Sequence, residues 1–320
     1  MNCAVASSTP PGCTLKRAQP LLGTLVEIGA SGASADEVSA AIEQAFVTVQ
    51  TIQTLMSYHD PASEVSLINR AGARCVTVHP HTWEVLYTAR AIAEASHGLF
   101  DITIAPELVR QAYLPHHADL AHPAPGSNWQ HIELLPDHRV RLLQPLHIDL
   151  GGIAKGYAVD CAIQTLQDAG MRTGRVNAGG DLRLFGEVTE TIHVRHPNAA
   201  TQLLPLCQLH QGAVATSAPY FTHRHVRGRA ASPLINPETR QPCTDTRSVS
   251  VLADSCMVAD ALTKVVFTAP DRAIAALNHF GAHAVVLDAV PNAPAHCRVR
   301  LSEPRGWRDA SPSNPEAVAA

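Results

Sequence analysis

Residues 147–160 read "HIDLGGIAKGYAVD". A run of strand character, "RVRLLQPLHIDL", ends at the glycine pair Gly151 and Gly152. Beyond it Ile153, Tyr157, Cys161 and Leu166 recur at helical spacing, predicting a helix over 153–169 that Gly170 stops. Such a junction decides the fold class, because parallel nucleotide-binding folds are built from strand–glycine–helix units. A Walker loop needs G-x-x-x-x-G-K-[ST], yet here lysine precedes the last glycine and tyrosine follows it. The Rossmann spacing G-x-G-x-x-G is absent too. Three readings remain open for the turn: an anion held by glycine backbone and helix N-terminus, with Lys155 beside it and Asp149 able to accept from a hydroxyl or ring N–H, a metal-handling turn, or a plain tight connection.

Outward from this turn, strands and helices alternate irregularly. Leu25, Val26 and Ile28 mark a short strand over 20–30. Ser34 and Glu37 have capping-box spacing ahead of an apolar stripe running from Val38 to Met56, which "YHDPASE" breaks. A second helix spans about Thr82 to His97, and "GLFDITIAP" follows as a short β-like piece. Residues 114–130, rich in Pro, His and Ala, read as a surface excursion. "GRVNAGGDLRLFG" reads as strand, glycine bend, strand, and 190–252 is strand-rich. Helices over 255–267 and 270–280 and the strand "HAVVLDA" complete the pattern. With no internal repeat, this is an α+β chain rather than a doubly wound sheet. The expected boundaries are a flexible N-terminus (1–16), one domain (17–302) and a disordered tail (303–320).

Bulk properties narrow the function. Of 320 residues, 46% are hydrophobic and 16% charged, which suits a soluble globular protein. A net charge of −4 with no basic stripe sets nucleic acid aside. The eight cysteines form no C-x-x-C pair, so a zinc knuckle or redox dithiol is not indicated, and a reducing compartment is. No stretch approaches the ~18 apolar residues of a membrane span, and the first residues lack a secretory pattern. The polypeptide as given reads as cytoplasmic.

Two further motifs carry candidate chemistry. "VNAGGD" (176–181) is a second glycine pair, Gly179 and Gly180, flanked by Asn177 and Asp181. Alone it is a bulge or tight bend; one helix away from the first pair, it can face the same cleft. In "LADSCMVADALTKVVF", Asp260, Thr263 and Lys264 share a helix face, so acid and hydroxyl could offer oxygens to a hard cation. The plain alternative is an Asp260–Lys264 ion pair. The histidines of "HHADLAH" and "THRHVRG" lack zinc-site spacing.

In order, "QPLLGTLVEI", "MSYHDPASEVSLIN", "SHGLFDITIAP", "HIDLGGIAKGYAVD", "VNAGGDLRLFG", "AVATSAPYF", "PLINPETRQP" and "SVSVLADSCMVADAL" resemble the FAD:protein FMN transferases, the ApbE family. The resemblance implies an α+β fold with mixed or antiparallel sheets, helices at their sides and a central FAD cleft. It implies transfer of FMN from FAD to a threonine or serine of a partner protein through a phosphoester, with AMP released and Mg²⁺ against the pyrophosphate. Such partners are typically subunits of membrane electron-transfer complexes, and family members often work outside the cytoplasm. By motif, Met56 would touch the flavin, Asp101, Ile102 and Thr103 would line the FAD site, and Asp149 and Lys155 would contact the cofactor. The bend at Asn177, Gly179 and Gly180 would face the same cleft. Gly152 would lend a backbone oxygen to the metal, Asp260 a carboxylate and Thr263 a hydroxyl. No residue is assigned as general base.

Three departures accompany the resemblance. The usual H-I-x-D-P-x-T-G stands here as Pro233 to Arg240, without its histidine, aspartate and glycine. The threonine expected four residues after the metal-site aspartate is Lys264, with Thr263 one position early, and T-S-G has become Thr216-Ser217-Ala218. One residue along a helix turns a side chain by about 100°. The Lys264 ammonium could therefore stand in for one cation's charge beside the pyrophosphate. The departures leave two alternatives open, a non-catalytic FAD carrier and an FAD pyrophosphatase giving FMN and AMP.

Overall fold

Ser34 accepts a hydrogen bond from the Glu37 N–H at 3.3 Å and starts α1 (Ala35–Met56), whose buried residues run Val38, Ala41, Ile42, Ala45, Phe46, Val49, Ile52 and Met56. That stripe lies on a nine-stranded sheet in a computed structural model that describes residues 12–187, 189–197, 199–218, 224–226, 229–290 and 297–310. The sheet takes its strands in the spatial order β1 (Cys13–Leu21), β2 (Thr24–Gly32), β6 (Thr173–Ala178), β7 (Asp181–Phe185), β10 (Gly212–Ser217), β15 (Ser248–Ala253), β16 (His283–Ala289), β17 (Cys297–Glu303) and β18 (Gly306–Ala310). Every neighbouring pair is antiparallel. The α+β reading holds.

Period-two alternation splits the core into two layers. Ala213 and Ala215 of β10, and Ala284 and Val286 of β16, face a helical layer. It is formed by α1, α5 (Ala154–Asp168) and α6 (Cys256–Thr268), which pack side by side, with α7 (Pro270–His279) against α6. Val214, Val285 and Leu287 point the other way, where Ile192, Val194, Leu206 and Leu209 cover them. Those four come from the hairpin of β8 (Glu190–His196) and β9 (Ala199–Leu209). The remaining strands form small sheets: β3 (Val76–Thr77) with β5 (Arg139–Leu142) and β4 (Ile132–Leu135), β11 (Arg224–Val226) with β12 (Arg229–Ala231), and β13 (Ile235–Asn236) with β14 (Gln241–Pro242).

Several local expectations change. The stretch 20–30 is the turn and second arm of a hairpin, with Leu22 and Gly23 both at positive φ, the geometry of a tight two-residue loop. "YHDPASE" does break α1, but its Ser63 also caps a helix the sequence did not announce, α2 (Glu64–Ala71). "GLFDITIAP" is not β-like. The Asp101 carboxylate accepts from the Thr103 N–H at 2.8 Å, competing with a strand ladder, and Ala105–Arg110 form α4 with Pro106 in its first turn. α3 (Pro80–Ala95) falls where a helix was read. Cys13–Lys16, expected in a flexible N-terminus, lie in β1; Glu303 and Gly306–Ala310, expected in the tail, lie in β17 and β18. Of those two terminal expectations, residues 1–11 and 311–320 fall outside the described residues.

Candidate functional site

α5 and α6 meet at Gly156. A Cβ there would sit 2.3 Å from the Cys256 carbonyl oxygen, so only glycine allows the helices this close. The contact sets the site, because it brings the two helix faces carrying chemistry together. The Gly156 N–H donates to Asp260 Oδ2 at 3.2 Å, and Lys155 Nζ lies 3.4 Å from the same oxygen. Lys155 also donates to Asp181, on the first residue of β7. Lys264 donates to Asp260 Oδ1, and to the Asp260 carbonyl at 2.9 Å. Thr263 donates to that carbonyl at 2.6 Å and meets the Ser217 hydroxyl at 2.7 Å. Asp160, closing the stretch quoted at the outset, caps α6: it accepts from the Ser255 hydroxyl and from the Cys256 and Met257 N–H groups at 2.7–2.9 Å, with Arg183 at 2.7 Å.

A cavity of about 560 Å³ opens above this cluster. Its wall includes Asp149, Gly151, Gly152, Lys155, Gly179, Asp181 and Lys264, so both glycine bends and both helices do face one cleft. Asp101 and Ile102 also line it. A larger cavity of about 870 Å³ shares Asp101 and Pro237 with it and continues past Thr103, Trp129 and Arg240. The motif residues gather at the smaller one, which is where chemistry is placed.

Other expected residues lie elsewhere. Met56 is buried in the core at the end of α1 and is not in the wall of either cavity. Asn177 accepts from the Gly180 N–H at 3.0 Å, shaping the bend from behind, while Gly179 (φ 64°) and Gly180 (φ 108°) hold conformations other residues resist. Asp260 and Thr263 are fully buried and are not in the cavity wall; Lys155 and Lys264 lie between Asp260 and the cavity. The free N–H groups expected at the α5 N-terminus are partly taken, because the Ile153 and Ala154 N–H groups donate to the Leu150 carbonyl at 3.0 and 2.8 Å.

Charge within the cluster is balanced in pairs. Burial raises the Asp181 pKa and nearby Asp260 adds to this, against the pull of Lys155 and Lys264. Burial also disfavours the Asp260 charge, yet Lys155, Lys264 and the Gly156 N–H outweigh it and hold the carboxylate ionised. Burial opposes the Lys155 ammonium, but Asp181 and Asp260 raise its pKa on balance. Among the described residues Asp149 has no cationic partner of this kind: burial pushes it up to about 6, offset by the Gly151 N–H at 3.2 Å.

Two residues of the site escaped sequence reasoning. Asn69 of α2 accepts from the Ile148 N–H and donates to the Ile148 carbonyl, at 2.8 and 2.9 Å, fixing the chain one residue before Asp149. Arg240 is the last residue of the turn between β13 and β14, at φ 55°, a position where the family motif has glycine. Its guanidinium donates to the Thr103 carbonyl at 3.0 Å and the Ser127 carbonyl at 2.9 Å, and reaches Asp101 at 3.3 Å. These bonds offset the ~1–2 kcal/mol that a left-handed conformation costs a residue with a Cβ. Burial still raises the Asp101 pKa, against its Thr103, Arg240 and Trp129 partners.

This is an antiparallel α+β protein in which two glycine bends and the facing ends of two helices converge on one cleft. The ApbE family model matches residues 22–287, and the chain belongs to the ApbE family. A FAD:protein FMN transferase of Chlamydia pneumoniae is 27% identical over 264 residues, covering 73% of this chain and 78% of its own. The crystal structure of the ApbE protein of Thermotoga maritima superposes with a TM-score of 0.76 at 28% identity, covering 86% of this chain and 94% of that one. The flavin transferase ApbE of Vibrio cholerae has a TM-score of 0.73 at 21% identity over 95% and 98% of the two chains, a likeness of fold. Among the described residues, no helix is long and apolar enough to cross a membrane.

Proposed function

We propose that this chain is a flavin transferase: it binds FAD and passes the FMN moiety to a threonine or serine hydroxyl of an acceptor protein, releasing AMP. The observation that carries this reading is the convergence of both glycine bends, Asp101, Asp149, Lys155 and Lys264 on one cavity, in a chain of the ApbE family. Its relatives' name supplies the donor and the group transferred.

The acceptor oxygen attacks the phosphorus of the FMN half, a phosphoester forms, and the bond to the AMP phosphate breaks. Phosphoryl transfer of this kind depends on positioning and charge stabilisation rather than on a covalent protein group. Lys155 supplies a fixed ammonium at the cavity wall, and Asn69 and Gly151 hold Asp149 in place. The acceptor proton must leave, and Asp149, with its pKa near 6, is the wall group suited to receive it at neutral pH. The acceptor is proposed to be a subunit of a membrane electron-transfer complex, modified in the compartment where this chain resides, the cytoplasm.

Magnesium is the expected companion of such a reaction, and its implied ligands are the Gly152 carbonyl, Asp260 and Thr263. Their chemistry does not suit a divalent ion in this arrangement. Both Asp260 carboxylate oxygens receive N–H donors, and the Thr263 hydroxyl is turned to Ser217 and the Asp260 carbonyl.

Incubation with FAD and an acceptor fragment, read by AMP release and acceptor mass, tests the proposal. AMP with an FMN-sized gain on the acceptor supports it. AMP with free FMN and an unmodified acceptor points to a pyrophosphatase, and FAD bound but intact to a carrier; either refutes transfer.

A further inference from the structure

Lys264 stands where the family pattern has a metal-site threonine, and its side chain bridges the implied metal ligands. Its Cε lies 3.7 Å from where a Cβ on Gly152 would be, while its ammonium sits on the Asp260 carboxylate. The lysine side chain thus passes beside Gly152 and ends on Asp260, two of the implied metal ligands. Lys155 closes the other carboxylate oxygen. Asp260 is fully buried beneath the two ammonium groups, and both lysines line the cavity. Among the described residues, no group of three or more His, Cys, Asp and Glu side chains is placed to hold a metal ion.

We propose that Lys264 is a built-in cation, occupying the place of a divalent metal on Asp260, so that this chain binds its dinucleotide diphosphate through the Lys155 and Lys264 ammonium groups without a metal. The inference rests on the FAD reading above for its ligand, but not for its claim about Asp260. Three features favour it. A divalent ion entering the site would find Asp260 and Asp181 already neutralised by two ammonium groups, so little net negative charge is left to hold it. It would also have to strip N–H donors from both carboxylate oxygens, leaving the displaced donors unpaired. Last, the ammonium carries three donors, and two go to Asp260, which leaves one for an anion at the cavity wall.

The role also explains why Thr263 is one residue away from the family position without apparent compensation. With Lys264 on the carboxylate, no hydroxyl ligand is needed, and Thr263 ties α6 to β10 through Ser217 instead.

The test has two arms on the full chain. In the first, Mn²⁺ binding to ligand-free protein is followed by electron paramagnetic resonance. The wild type is expected to leave Mn²⁺ free, whereas micromolar binding that Asp260→Asn abolishes would overturn the proposal. In the second, FAD affinity is measured by calorimetry in EDTA and in Mg²⁺. Affinities within about twofold of each other support it, while tightening of tenfold or more with Mg²⁺ overturns it. Lys264→Met, checked for folding by circular dichroism, is expected to weaken FAD binding at least about tenfold in EDTA. A folded variant with unchanged affinity would overturn the diphosphate contact. If FAD binds under neither condition, the flavin reading fails and takes the diphosphate contact with it, while the Mn²⁺ arm still decides whether Asp260 is closed to metal.

Discussion

Asp149→Asn separates what the cleft costs from what it does. Burial raises the Asp149 pKa from 3.8 to about 6. That difference is worth up to ~3 kcal/mol, and the cavity solvent that reaches this half-buried side chain brings it to ~1–3 kcal/mol. The sign follows from proton binding. The folded protein holds this proton more tightly than the unfolded chain, so the contribution is fully present below about 3.8 and lost as pH rises through about 6. At neutral pH the ionised carboxylate therefore destabilises the fold. Asparagine keeps an oxygen for the Gly151 N–H and carries no charge. Urea unfolding from pH 4 to pH 8 should show the variant more stable than wild type by ~1–3 kcal/mol above pH 6, with the gap closing toward pH 4. Flavin transfer should fall by about 10²-fold or more, the usual contribution of proton transfer. Equal stability at pH 7 would refute the buried-charge reasoning, and undiminished transfer would remove Asp149 as the proton acceptor.

Three other changes probe the frame. Gly156→Ala drives a Cβ into the Cys256 carbonyl, so α5 and α6 must separate; a loss of ~1–3 kcal/mol in urea denaturation is expected, with weaker FAD binding because Lys155 and Asp260 move apart. Asp160→Ala strips the α6 cap of its acceptor and should cost about 2 kcal/mol, read as a lower denaturation midpoint; a change within error would mean the cap is dispensable. Asn69→Leu leaves the buried Ile148 N–H and carbonyl without side-chain partners and should cost ~1–3 kcal/mol, with faster hydrogen exchange at Ile148.

What the sequence revealed and what it hid follow the range of the interactions. Ser34 was readable as a cap, and Gly179 and Gly180 as a bend, because each acts on residues within one turn. The helical stripe of α1 was readable because a periodic face records burial directly, and β16 because its short apolar run from Ala284 to Leu287 is buried on both faces. Asn69 was hidden because its partner is Ile148, 79 residues away, and nothing local marks a polar residue that braces distant backbone. "GLFDITIAP" misled because its apolar residues are buried by tertiary packing rather than by a sheet, while Asp101 diverts the backbone bonds. The Asp260–Lys264 pair was visible in both its readings, ion pair and metal face. Only the position of Lys155, 105 residues away, and of Gly152 beside the Lys264 chain distinguishes them. Arg240 could be seen to depart from a glycine, but not to exchange backbone comfort for a grip on Asp101 and Thr103.

The central claim is that the cavity beneath Asp149 and above the lysine-capped Asp260 holds the diphosphate of FAD. A crystal structure of the chain with FAD tests it most directly. Diphosphate oxygens are expected within hydrogen-bond distance of the Lys155 and Lys264 ammonium groups, with Asp260 still bonded to both lysines. FAD ordered at another surface, or a diphosphate that leaves both lysines untouched, would contradict it.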